Sequence, residues 1–173
     1  LLARVTFIFG GAASGKSEFA EKFVESSGKP KTYLATSQVL DGEMQSKVEL
    51  HKARRSSDWA LLEEPMNLAD PLSRLSADGI CLIDCATMWL TNQLLADTDL
   101  DTAQTQLICA INACPAELVI VSNEVGMGIV PDNAMARRFR EAQGRLNIAM
   151  AARADLAVFV AAGLPLVLKG TLP

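Results

Sequence analysis

The stretch Gly10-Gly11-Ala12-Ala13-Ser14-Gly15-Lys16-Ser17 decides the fold, because it meets the pattern G-x-x-x-x-G-K-[ST] between an apolar run at 5–9 and an amphipathic run at 17–25. Its glycines let the backbone curl so that successive N–H groups point at phosphate oxygens. The positive end of the following helix adds to that field. In such a loop Lys16 reaches the outer phosphates of ATP or GTP, and the Ser17 hydroxyl completes the shell of a Mg2+ ion. A glycine-rich turn that merely joins strand to helix is the plain alternative. The apolar run before the loop and the helical run after it favour the nucleotide.

Four more apolar runs lie downstream, at 32–35, 80–83, 118–121 and 156–160, and most are continuous rather than alternating, as in strands covered on both faces of a parallel sheet. Stretches with helical spacing lie between them, at 17–25, 43–54, 88–95, 103–113 and 133–153. This alternation predicts an α/β protein with a doubly wound, mostly parallel sheet flanked by helices. With its phosphate loop, that is a P-loop NTPase of RecA-like type, expected as one domain over 1–173. Ligands of such sheets bind outside the carboxyl ends of the strands, which directs attention to residues 10–17, to Thr36, Ser37 and Gln38, to Asp84, and to Asn123 and Glu124. The run Gly79-Ile-Cys-Leu-Ile-Asp84 is an apolar strand ending in a carboxylate, the arrangement that holds Mg2+ directly or through water. Capping of the next helix is the other use for Asp84.

Composition excludes several classes. The 173 residues suffice for a core without disulfides, and the 50% of hydrophobic residues fall in short separated runs rather than one tract of about 20, so no membrane insertion is expected. The opening LLARVTFIFGG has no basic segment followed by a cleavage site, which makes a cytoplasmic location the expectation. A net charge of −4 argues against broad binding of nucleic acid. Cys81, Cys85, Cys109 and Cys114 are spaced CxxxC and CxxxxC, unlike zinc pairs, and are expected to be reduced and mostly buried. The acidic stretch at 97–101 has the character of a surface loop opening a helix.

The sole histidine, His51, sits in KVELHKARR at 47–55. On a helix Met44, Val48 and His51 share one face, which suits a packing role. The basic cluster behind it, Lys52, Arg54 and Arg55, suits phosphate binding instead. A neutral imidazole can attack phosphorus, and guanidinium groups would stabilise the charge that develops. These residues alone leave both readings open, and the phosphate loop alone also serves a simple small-molecule kinase or a RecA-like regulatory module.

The sequence resembles the bifunctional adenosylcobinamide kinases and adenosylcobinamide-phosphate guanylyltransferases of cobalamin biosynthesis over nearly its whole length. The likeness rests on GGAASGKS, on YLATSQVLDGEM at 33–44 followed by HK at 51–52, on DCATMWLTNQLL at 84–95, and above all on VSNEVGMGIVPDN at 121–133. It implies a two-step enzyme that phosphorylates adenosylcobinamide with ATP or GTP, then transfers GMP from GTP to adenosylcobinamide phosphate through a GMP-histidine at His51. Guanine-nucleotide contacts are implied for residues 10–17, Thr36, Ser37, Gln38, Lys52, Ala53, Arg54, Arg55, Glu63 and Asp84, with Glu64 as the substitute for Glu63. Many members carry Glu where Asp84 stands, and Ala13 replaces an arginine usual in the family's loop. Asn123, Glu124 and Arg145 are implied either in corrinoid binding or in holding the fold, and Gly126 and Gly128 either in a moving loop or in tight turns. Members also form trimers. Serving two different phosphorus atoms predicts a segment 41–55 whose arrangement depends on nucleotide.

Overall fold

The computed structural model describes residues 3–38 and 58–173. The strand β1 (Val5–Gly10) is apolar throughout and lies between two parallel neighbours, β5 (Glu117–Asn123) and β6 (Leu156–Ala161). Beyond β5 come β4 (Ile80–Asp84), β2 (Lys31–Ala35) and β3 (Trp59–Glu63), each parallel to the last. Beyond β6 the strand β7 (Leu164–Lys169) runs antiparallel and completes a sheet of seven strands among the described residues, in the order β3-β2-β4-β5-β1-β6-β7.

The five expected strands are therefore present, and the sheet is mostly parallel as expected. The two strands without a clear signal, β3 and β7, are its edges. An edge strand needs cover on fewer sides, so its sequence carries a weaker apolar run. Thus β3 reads WALLE with most positions exposed or half-buried, and β7 carries Pro165, which an edge tolerates because no neighbour needs its N–H.

Five helices occur among the described residues: α1 (Lys16–Glu25), α2 (Ala69–Ser73), α3 (Ala86–Leu95), α4 (Leu100–Ala113) and α5 (Ala134–Arg153). The acidic stretch does open a helix, since the Asp99 carboxylate accepts from the Thr102 amide at 2.7 Å and caps α4. Asn133 caps α5 in the same way, accepting from Ala136 N–H at 2.8 Å. The expected helix over 43–54 lies outside the described residues.

Side chains alternate across the strands, so the sheet buries two cores. On one face Ile8, Leu82, Val119, Val121 and Val158 pack with Ala20, Phe23 and Val24 of α1. On the other, Phe7, Ile83, Leu118 and Ile120 pack with Trp89 and Leu90 of α3, Leu107 and Ile111 of α4, and Leu146 and Met150 of α5. All four cysteines are free; Cys81, Cys85 and Cys114 are buried as expected, whereas Cys109 is exposed on α4. No helix among the described residues is long and apolar enough to cross a membrane.

Candidate active site

Because β1 to β5 are mutually parallel, their carboxyl ends gather at one edge. Residues 10–17 leave β1 there and enter α1. Glycine is obligatory at two points of this loop. A Cβ on Gly10 would collide with the Val160 carbonyl and lie 2.8 Å from Ser14 Oγ, and Gly15 takes φ 90° with its Cβ position 3.0 Å from the Gly163 Cα. Gly163, in the turn between β6 and β7, also donates its N–H to the Ser14 carbonyl at 2.8 Å. Ala13 adopts φ 54°, a left-handed conformation that costs a residue with a Cβ about 1–2 kcal/mol. Ser14 Oγ is buried with no hydrogen-bond partner among the described residues. A hydroxyl so placed is ready to donate to a phosphate oxygen, which would remove its desolvation cost.

Lys16 is 9% exposed and donates from Nζ to the Gly11 carbonyl at 3.0 Å, so its ammonium lies across the loop. Burial pulls its pKa below the usual lysine value, while charge at Cys85 and Asp84 pulls it back. Burial also pushes the Cys85 thiol up to about 12, so at neutral pH that thiol is protonated and Asp84 supplies the charge. Asp84 is the last residue of β4, and its Oδ2 accepts from the Tyr33 hydroxyl at 2.9 Å. The N-cap of α3 is Cys85, without a side-chain capping bond, so the alternative use of Asp84 as a cap does not apply. Ser17 and Asp84 offer one hydroxyl and one carboxylate. That set fits Mg2+, which commonly takes its other ligands from phosphates and water.

The end of β2 is held between two acidic strand ends, since Ala35 pairs with Asp84 on one side and with Glu63 on the other. Thr36 follows, fully buried; its Oγ1 donates to the Cys85 carbonyl at 2.7 Å and accepts from the Cys85 N–H at 2.9 Å. Asn92 of α3 donates to the Thr36 carbonyl at 2.8 Å. The hydroxyl of Thr36 thus fixes the peptide after Asp84. Ser37 is half-buried and Gln38 exposed. Glu64 Oε1 accepts from the amides of Met66 and Asn67 at 2.8 and 2.9 Å and shapes the following turn, whereas Glu63 ends the strand exposed.

After β5 the chain forms an exposed loop that α5 pins from below. Arg140 donates to the carbonyls of Gly126 and Gly128, and Arg137 to those of Pro131 and Asp132. Glu124 accepts from the Gly126 N–H, while Met127, Ile129 and Val130 are exposed. Arg145 is exposed on α5 beside Glu141, 4.0 Å away.

The structure thus brings together residues 10–17, Thr36, Glu63 and Asp84. His51, Lys52, Ala53, Arg54 and Arg55 lie outside the described residues, as does the segment 41–55 expected to respond to nucleotide. Sequence reasoning did not single out Tyr33 or Asn92, which hold Asp84 and Thr36. It also passed over Gln143 and Asn147. Their signal was two amides spaced i, i+4 on the helical face of Leu146 and Met150, where apolar residues belong.

Residues 6–168 match the family described as cobinamide kinase / cobinamide phosphate guanyltransferase. The chain is 43% identical over 166 residues to the bifunctional adenosylcobalamin biosynthesis protein CobP of Pseudomonas aeruginosa, covering 94% of this chain and 96% of that one. It is 37% identical over 178 residues to the bifunctional protein CobU of Escherichia coli K12, at 94% and 98% coverage. Among solved structures it is similar to the P4 protein of bacteriophage phi6 in complex with ADP, with a TM-score of 0.50 and 14% identity, spanning 95% of this chain and 53% of that chain. A structure from Pyrococcus horikoshii OT3 gives a TM-score of 0.57 at 10% identity, spanning 98% and 88%. These structural likenesses concern the fold.

Proposed function

The chain belongs to the cobinamide kinase / cobinamide phosphate guanyltransferase family, and from that premise we propose that it carries out both reactions of cobalamin biosynthesis on one nucleotide site. In the first, the aminopropanol hydroxyl of adenosylcobinamide attacks the γ-phosphorus of ATP or GTP, the bond from that phosphorus to the β,γ-bridging oxygen breaks, and ADP or GDP leaves while the hydroxyl proton passes to solvent. In the second, an imidazole nitrogen of His51 attacks the α-phosphorus of GTP and pyrophosphate leaves. An oxygen of adenosylcobinamide phosphate then attacks the same phosphorus, giving adenosylcobinamide-GDP and freeing His51.

What carries this reading is the meeting of a glycine-constrained phosphate loop, a buried Lys16 and the Asp84 carboxylate at one sheet edge, in a chain matched to the family from residue 6 to 168. Phosphoryl transfer asks mainly for in-line geometry and neutralisation of oxygen charge. The loop amides and Lys16 neutralise the outer phosphates. Mg2+ held by Ser17 and Asp84 would neutralise the remaining oxygens. Thr36 acts through Asp84, whose following peptide it fixes, while Ser37, Gln38, Glu63 and the segment Lys52, Ala53, Arg54 and Arg55 contact the guanine nucleotide. The reaction belongs in the cytoplasm, where ATP and GTP are supplied. We further propose a homotrimer, a reading supported by the exposed Leu164, Leu166 and Leu168 of the edge strand β7, of which Leu164 and Leu166 share one face ahead of the register shift at Leu168.

The test is incubation of the protein and Mg2+ with GTP labelled at the α-phosphate, then denaturing electrophoresis and acid treatment, alongside His51→Ala. Label should remain on the wild-type chain, leave in mild acid as a phosphoramidate does, and be absent from the variant. Wild-type protein that binds GTP but takes no label would reduce the enzyme to a simple P-loop kinase.

A further inference from the structure

The strand β5 runs between the strand that delivers the phosphate loop and the strand that delivers Asp84. In register, Gly10 stands beside Asn123, and Asp84 stands beside Val121. Val119 and Val121 pack on the α1 side of the sheet, with Leu82 of β4. Alternation therefore puts the side chain of Asn123 on that same side, with Asp84 and the Lys16 end of α1, whereas Ser122 points to the opposite side. The Asn123 carboxamide makes no hydrogen bond to another described residue.

Its backbone, by contrast, is clamped from three directions. The Asn123 N–H donates to Thr87 Oγ1 of α3 at 2.7 Å, the Asn147 amide of α5 donates to the Asn123 carbonyl at 3.0 Å, and the next N–H, of Glu124, donates to the Gly10 carbonyl at 2.9 Å. The two clamping side chains are fixed in turn. Ser122 Oγ donates to Asn147 Oδ1 at 2.7 Å and lies 3.4 Å from Thr87 Oγ1, and Gln143 Nε2 donates to both Ser122 Oγ and Asn147 Oδ1 at 2.9 Å. Thr87, Ser122, Gln143 and Asn147 are all buried. Apolar side chains would fill this space without polar groups to satisfy; a hydrogen-bonded network instead fixes one geometry.

We infer that Asn123 is a catalytic residue of the phosphoryl-transfer step, its carboxamide N–H donating to an oxygen of the outermost phosphate, and that Thr87 and Asn147 are positioning residues that set its reach. The inference rests on the reading of residues 10–17 as the triphosphate site and adds a contact to it. Lys16 approaches that phosphate from the β1 side and Asp84 from the β4 side, so the strand between them faces the transferring group. A neutral donor there strengthens its bond as oxygen charge develops.

The experiment measures Kd for ATP and ADP, and kcat for phosphorylation of adenosylcobinamide, in the full chain with Mg2+. Asn123→Ala should leave ADP affinity within about twofold, which also certifies its fold, weaken ATP about tenfold and lower kcat at least as much. Asn123→Asp, nearly the same shape without the donor, should discriminate against ATP more strongly. Thr87→Val should lose part of the ATP preference and Thr87→Ser should restore it, a pattern that a general loss of stability would not produce. Wild-type preference for ATP that survives in both Asn123 variants, with unchanged kcat, overturns the inference alone. Wild-type protein that binds neither nucleotide overturns the phosphate-loop reading and this contact with it.

Discussion

The carboxylate of Glu64 serves a turn, because it accepts from two consecutive amides, and the exposed Glu63 beside it ends a strand at the nucleotide edge. Hydrogen bonds to a charged group are worth about 1.5–3 kcal/mol, so Glu64→Ala should lower the melting temperature by several degrees and leave GTP affinity within about twofold. Glu63→Ala, by contrast, should raise the Kd for GTP several-fold. Thermal denaturation and nucleotide titration of the two variants check the assignment. At this scale the sequence was readable where backbone demands are severe, as at Gly10 and Gly15, whose neighbours exclude a Cβ. It was less readable where one polar side chain serves another. Nothing about Thr36 in isolation says that its hydroxyl is occupied by Cys85, or that Asp84 leans on Tyr33, because both partners come from distant strands brought together only by the sheet.

Helix α5 shows how an element assembles the site from the side. Its first turn is capped by Asn133, its arginines 137 and 140 hold the carbonyls of the exposed loop, and its amides 143 and 147 reach the end of β5. Replacing the cap by alanine, Asn133→Ala, should cost about 1 kcal/mol and lower the melting temperature by about 2–4 °C. Hydrogen exchange at the amides of 134–137 should quicken in that variant while the central strands keep their protection; uniform quickening would refute a local cap. The central strands were legible because burial on both faces forces continuous apolar runs, as in β4 and β5. The edges β3 and β7 were not, since half of each faces outward and the composition relaxes accordingly.

At the scale of the molecule, the parallel order from β3 to β1 collects every strand end that matters at one edge, while the antiparallel β7 leaves its leucines facing outward at the far side of the sheet. Sedimentation should find the wild-type protein trimeric, and Leu166→Asp should release monomers; a wild-type monomer would refute the assembly. The contact between Gly163 and the phosphate loop has another consequence, which concerns translation. The strand β1 and its loop are synthesised well before β6, so β1 gains that neighbour, and Ser14 its bond from Gly163, only after residues 156–163 have followed. A nascent chain therefore carries a phosphate loop without this brace until the hairpin of β6 and β7 docks, and under the proposed function its grip on a triphosphate waits for that docking.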